Sequence, residues 1–146
     1  VVEAPPKEDL IAQAQTAADR EDWPTALQLL EKAVSENPMQ AEVHYLRAMI
    51  MIQTGAPAEA ISALRQALYC RPSFALAHYA LGELHAQRQQ WADAARCWQT
   101  ACRYLQQHNG ADLLPPTDDI TAEMLLGAIE TRLTQLPTQG SRIGAK

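Results

Sequence analysis

The sequence predicts an all-α fold made of stacked helix-turn-helix units, and three observations carry that prediction. Ala26, Leu30, Ala33 and Pro38 recur one repeat length later as Ala60, Leu64, Ala67 and Pro72, an offset of 34 residues. A third copy at the same offset carries Ala94, Trp98 and Ala101, with Gln106 where the proline would fall. Within each copy apolar residues lie at helical spacing on both sides of a breaker, and no strand pattern competes.

The copies are residues 7–40, 41–74 and 75–108, and each reads as two helices. In the second, Val43 to Thr54 forms the first helix, Gly55 takes the left-handed cap, and Pro57 stands near the start of the next helix. Pro24 has that starting role in the first copy. Pro38 and Pro72 lack an N–H and push the preceding residue out of the helical region, so each ends one unit and turns the chain into the next.

After the third copy, Asn109-Gly110 stops the last repeat helix. Pro115-Pro116 is expected to keep the connection (109–119) extended until Asp118 and Asp119 bring acidic character to a new helix start. That seventh helix is expected at 120–136, because Leu125, Ala128, Ile129, Leu133 and Leu136 form one stripe that can cover the exposed face of the third copy. Residues 137–146 have little to bury and read as a flexible tail. Val1 to Pro6 reads as a linker, so a domain upstream of it is expected.

Composition narrows the function. Twelve basic against 17 acidic residues give a charge of −5, with no basic run to neutralise a nucleic-acid backbone or an anionic lipid surface. No apolar stretch approaches the roughly 20 residues of a membrane span, and residues 1–20 lack a signal-peptide pattern. Nucleic acid and membrane are therefore not expected partners. Three cysteines without paired spacing argue for a reducing compartment, with cytoplasm as the default, and for buried, inert thiols.

The second copy, from Ala41-Glu42-Val43-His44-Tyr45-Leu46 through Ala60-Ile61 and Ala67-Leu68 to Pro72, resembles the tetratricopeptide repeat. The third is similar, with the Leu81-Gly82 pair, Ala94 and Ala101; the first carries Gln13-Ala14 at that pair and is recognised by its second helix. The resemblance implies a right-handed tetratricopeptide superhelix of three repeats with a C-terminal capping helix, a module that binds protein and is itself not catalytic. A narrower resemblance lies in Ala67 to Gly82, in Leu113-Leu114-Pro115 and in Asp119 to Leu125. These segments are similar to the tetratricopeptide extension of bacterial chemotaxis methyltransferases, which methylate receptor glutamates with S-adenosylmethionine. It implies a regulatory appendage of such an enzyme. No Gly-rich turn after a strand occurs, so no methyl-donor site is expected within these residues, and no cofactor.

The resemblance also implies which residues line the concave groove: Tyr45, Met49, Ile52 and Gln53, with Glu42, in the second copy, and Leu76, Tyr79, Glu83 and Gln87, with Ala86, in the third. Tyr45, Met49 and Ile52 would make an apolar strip, which marks a contact site unless the capping helix or a neighbouring domain covers it. In the first copy the positions are Glu8, Ile11, Gln15, Ala18 and Asp19. They lack the Lys and Asn with which chaperone-tail binders clamp a terminal carboxylate, so a helix laid in the groove is the expected ligand.

His44 and His78 repeat with the period, which makes packing their expected role. His85 with Cys97 is at most half a metal site, and no metal is expected. The acidic pairs Glu21-Asp22 and Asp118-Asp119 sit at helix boundaries as caps, and Trp23, Trp91 and Trp98 read as packing residues. Two functions follow: a protein-interaction module that tunes a chemoreceptor methyltransferase, or a free-standing scaffold in envelope or pilus assembly. Partner classes left open are a chemoreceptor, the chain's own catalytic domain and a second copy of the chain.

The recurring alanines give the first prediction. Where antiparallel helices cross closely, a small side chain lets the backbones approach while a large neighbour fills the adjoining space. Replacing Ala60 with Leu should overpack the crossing and lower urea-unfolding stability by roughly 1–3 kcal/mol.

Overall fold

A computed structural model describes residues 7–117 and 119–137. The expected linker at 1–6, Asp118 and most of the expected tail lie outside the described residues. Those described form seven α-helices: α1 (Lys7–Asp19), α2 (Trp23–Glu36), α3 (Ala41–Gln53), α4 (Pro57–Cys70), α5 (Ala75–Gln87), α6 (Trp91–Leu105) and α7 (Ala122–Gln135). They fall into two compact units, residues 1–77 and 78–146, with the division inside α5.

The turn inside each repeat is built the same way three times. Asp22, Ala56 and Gln90 donate their N–H groups to the carbonyls of Ala17, Met51 and His85, five residues back, at 2.9, 2.8 and 2.9 Å. The residues just before them, Glu21, Gly55 and Gln89, donate to Ala18, Ile52 and Ala86. These paired bonds are Schellman closures, which satisfy the orphan carbonyls at a helix end and require a left-handed residue. Accordingly Glu21, Gly55 and Gln89 have φ of 59°, 83° and 62°. Only the middle position uses the residue type that adopts this conformation without steric cost.

The second helices of the first two repeats end as the prolines dictate. Asn37 and Arg71, each preceding a proline, are extended (φ −152° and −144°), and each returns its N–H to the last turn, on Ala33 and Ala67. Gln106, lacking a following proline, stays helical at φ −66°.

In the unit of residues 1–77, α1 packs on α2, α3 on α4, and α2 meets α3. Ala26, Leu30, Ala60 and Leu64 are fully buried at these crossings. His44 is buried and its Nε2 lies 2.9 Å from the carbonyl oxygen of Pro38, which ties the start of the second repeat to the turn that closes the first.

In the unit of residues 78–146, α6 packs on α7, with Ala94, Trp98, Ala101, Ala122, Leu125 and Ile129 buried. A Cβ on Gly82 would stand 2.5 Å from Nε1 of Trp98, so the absence of a side chain there is what admits the indole against α5. His78 stacks on Tyr104, ring centroids 5.7 Å apart.

The connection to α7 is not extended, as the two prolines led us to expect. It doubles back: Leu113 and Thr121 form an antiparallel bridge, and the N–H groups of Leu114 and Ala122 reach the carbonyls of Ile120 and Asp112. The cap of α7 is accordingly Thr121, whose hydroxyl accepts the N–H of Met124 at 3.2 Å, and the helix begins at Ala122 instead of near Ile120. The cysteines also differ from expectation. Cys70, Cys97 and Cys102 are free and half-buried, and burial pushes the Cys70 and Cys102 thiols above their ordinary pKa.

Two glycine exchanges of opposite sign follow. Gly82→Ala drives a Cβ into the rigid Trp98 indole and should lower the melting midpoint in urea, at a cost of about 1–3 kcal/mol. Gln89→Gly removes the steric penalty of a left-handed side-chain residue and should raise stability by about 0.5–1 kcal/mol in the same titration.

Candidate functional site

Two concavities, one in each unit, are lined at equivalent repeat positions. In residues 1–77 a groove of about 240 Å³ lies among α1, α2 and α3. From α1 come Ala14, Gln15, Ala18 and Asp19, and from α3 come Leu46, Met49, Ile50 and Gln53, residues that share a face because they are three or four apart. Trp23, at the start of α2, forms one wall and Leu30 the floor. Leu46, Met49, Ala18 and Trp23 are half-buried, so apolar surface remains open to a ligand, and Asp19 is the only charged residue in the lining.

In residues 78–146 a larger cleft of about 400 Å³ lies between α5 and α7. Its α5 and α6 lining repeats that of the first groove two repeat lengths along the chain: Gln15, Ala18, Asp19, Trp23 and Leu30 are replaced by Glu83, Ala86, Gln87, Trp91 and Trp98. The facing wall is different, because Arg132, Gln135, Leu136 and Pro137 stand where α3 stands in the first groove.

Glu83 organises this second site. Its Oε2 accepts from the Tyr79 hydroxyl at 2.9 Å and from Nε and Nη2 of Arg132 at 3.1 and 2.9 Å. Burial raises the Tyr79 phenol pKa above its ordinary value, and the hydrogen bond and charge of Glu83 add to the rise while Arg132 opposes it. The hydrogen bond to Glu83 raises that of Arg132 in turn.

The expected groove residues therefore separate. Met49 and Gln53 line the first groove, and Glu83 and Gln87 line the second. Tyr79 lies outside the lining and joins the second site through Glu83, and Ile52 is half-buried outside both linings. Tyr45, expected in an open apolar strip, and Leu76, expected in the groove of the third copy, are instead buried. Tyr45 is 8% exposed and its ring meets that of Phe74 at 5.2 Å, while Leu76 is 3% exposed. Phe74 in turn lies under the Arg71 guanidinium, which pairs with Glu42, so this face of α3 is consumed by packing.

Trp23 and Trp91, expected to be packing residues, line the openings of the two sites. The signal was present in the sequence: both stand at the same repeat position, where the second repeat has Pro57. Among the described residues no group of three or more His, Cys, Asp and Glu could hold a metal ion. His85 bonds Gln90 through Nδ1 at 2.8 Å.

Residues 11–75 match the tetratricopeptide repeat family. That match falls on the first two repeats, with their paired helices and Schellman turns. Residues 11–75 carry tetratricopeptide repeats.

Solved structures agree on the fold. The Yersinia enterocolitica type III secretion translocator chaperone SycD superposes with a TM-score of 0.74 at 11% identity, over 89% of this chain and 89% of that one. The TPR2B domain of yeast Sti1, solved as a complex with pHsp70, gives 0.68 at 17% identity, over 86% of this chain and 97% of that one. MamA gives 0.66 at 17% identity over 69% of this chain, which spans 59% of the MamA chain. At these identities the likeness is one of fold. No curated protein sequence matches the chain.

The phenol of Tyr79 supplies a pH test. Its pKa is raised on folding, so its contribution is complete below the unfolded tyrosine value of about 10 and is lost as pH rises through the folded value. Tyr79→Phe should cost about 1 kcal/mol at pH 8, and the difference from the parent should shrink as pH rises above the unfolded tyrosine value of about 10 in paired urea titrations.

Proposed function

We propose that this tetratricopeptide domain is a protein-interaction module whose groove in residues 1–77 seats an apolar anchor of a helical partner. One observation carries the reading: Trp23, Leu46 and Met49 stay partly open around a floor of Ala14 and Leu30, in a lining with no basic side chain. Burying an apolar side chain there releases water from both surfaces, worth about 1.5–3 kcal/mol for a Leu or Phe. The flexible thioether of Met49 adapts to the shape of the anchor. The Sti1 complex with pHsp70 supports peptide recognition by domains of this fold. Asp19 and the absence of Lys or Arg in the lining favour a neutral or basic partner segment over an acidic tail.

The wider context we propose is regulation of a chemoreceptor methyltransferase. Its support is the similarity of residues 67–82, 113–115 and 119–125 to the extension of those enzymes, and the partner segment would then be a neutral or basic helix of the receptor. Binding, not chemistry, is the proposed task of these residues. No helix among those described is long and apolar enough to cross a membrane.

Synthetic neutral and basic helices from chemoreceptors, titrated calorimetrically, test the reading. Saturable binding is expected, and Met49→Lys should weaken it at least about tenfold while unfolding stability changes by no more than about 0.5 kcal/mol, as for other partly exposed positions. Absence of binding to every such helix ends the receptor assignment. Binding indifferent to Met49→Lys ends the groove assignment.

A further inference from the structure

The cleft of residues 78–146 differs electrostatically from the groove just discussed, because a cation joins the acid in its lining. In the first site the single charge in the lining is the acid Asp19. In the second, α7 adds a cation, and the two members of its ion pair are unequally placed: the Glu83 side chain is 26% exposed and that of Arg132 45%. The acid lies inward, with one oxygen already accepting from Tyr79 and twice from Arg132. The guanidinium faces out. It has five N–H donors in a planar fork, and the contacts to Glu83 use only two. Gln135 stands exposed on the same helix face, one turn along, and Trp91 and Leu136 provide half-buried apolar surface beside it.

We propose that this cleft between α5 and α7 is a second binding site, which takes an acidic peptide segment. An Asp or Glu carboxylate of the ligand docks on the outward edge of Arg132, and a neighbouring bulky apolar side chain lies on Trp91 and Leu136. Three arguments converge on that chemistry. A planar guanidinium matches a carboxylate in a two-point contact, the stronger kind of charge-assisted hydrogen bond. The clasp to Glu83 holds Arg132 in place before the ligand arrives, so less side-chain freedom is lost on binding. A basic segment would meet the exposed cation and not the acid beneath it. The volume of about 400 Å³ suits one or two side chains and not a whole helix.

The test is selection of displayed random heptapeptides on the full chain, followed by affinity measurements on synthetic copies of the enriched sequences. Enrichment of Asp or Glu next to Leu, Ile, Phe or Trp is expected. Gln135→Glu places a negative charge on the rim without touching the clasp, and should weaken those peptides at least about tenfold. Arg132→Gln should weaken them similarly. Should that variant loosen α7, as circular dichroism would reveal, Gln135→Glu remains decisive. Met49→Lys, in the other unit, should leave their affinity unchanged, which separates this site from the groove of the proposed function. No enrichment, enrichment without acidic residues, indifference to Gln135→Glu, or loss in Met49→Lys would each overturn the proposal.

Discussion

Close approach of paired helices is the constraint on which the rest of this structure depends. Ala26, Ala60 and Ala94 are fully buried, and each is followed one turn later by a large buried residue, Leu30, Leu64 or Trp98. Small against large at fixed spacing packs to crystal-like density only when the backbones come near, and every later feature inherits that geometry. The Schellman turns return the chain at the right angle, and Leu30 and Trp98 continue from the core into the floors of the two concavities. Where Trp98 replaces leucine, Gly82 gives up its side chain to admit it.

The same repeat register thus produces two sites of different character. Trp23 and Trp91 stand at equivalent positions, as do Ala18 and Ala86, so apolar recognition is common to both. What differs is the wall supplied from outside the repeat. In residues 1–77 it is α3, with Leu46 and Met49. In residues 78–146 it is α7, which brings Arg132 and Gln135 and is fastened through Glu83. Repetition supplies the floor, and the helix that follows decides what can bind.

Much of this was legible from periodicity, because a buried position must repeat wherever the unit repeats. The alanines, the closing prolines and the left-handed Gly55 could all be read directly. Glu21 and Gln89 were less visible, since their left-handed conformation is imposed by the turn against their own preference and only the offset from Gly55 reveals it. The groove was half legible. Met49 and Gln53 fell where the repeat register puts them, but Tyr45 is the same kind of residue on the same helix and is buried against Phe74, a contact between residues 29 apart that no local pattern announces.

The sequence by itself determined the helices, their pairing and the all-α repeat fold, because these follow from local propensity and from a spacing written in the chain. Only the tertiary structure decided which groove positions remain open. It folded the connection back so that Thr121 caps α7, set Arg132 against Glu83 from 49 residues away, and turned the tryptophans at the head of α2 and α6 toward cavities. Such pairings depend on how side chains distant in sequence compete for the same buried space, and that competition is settled only when the helices are packed.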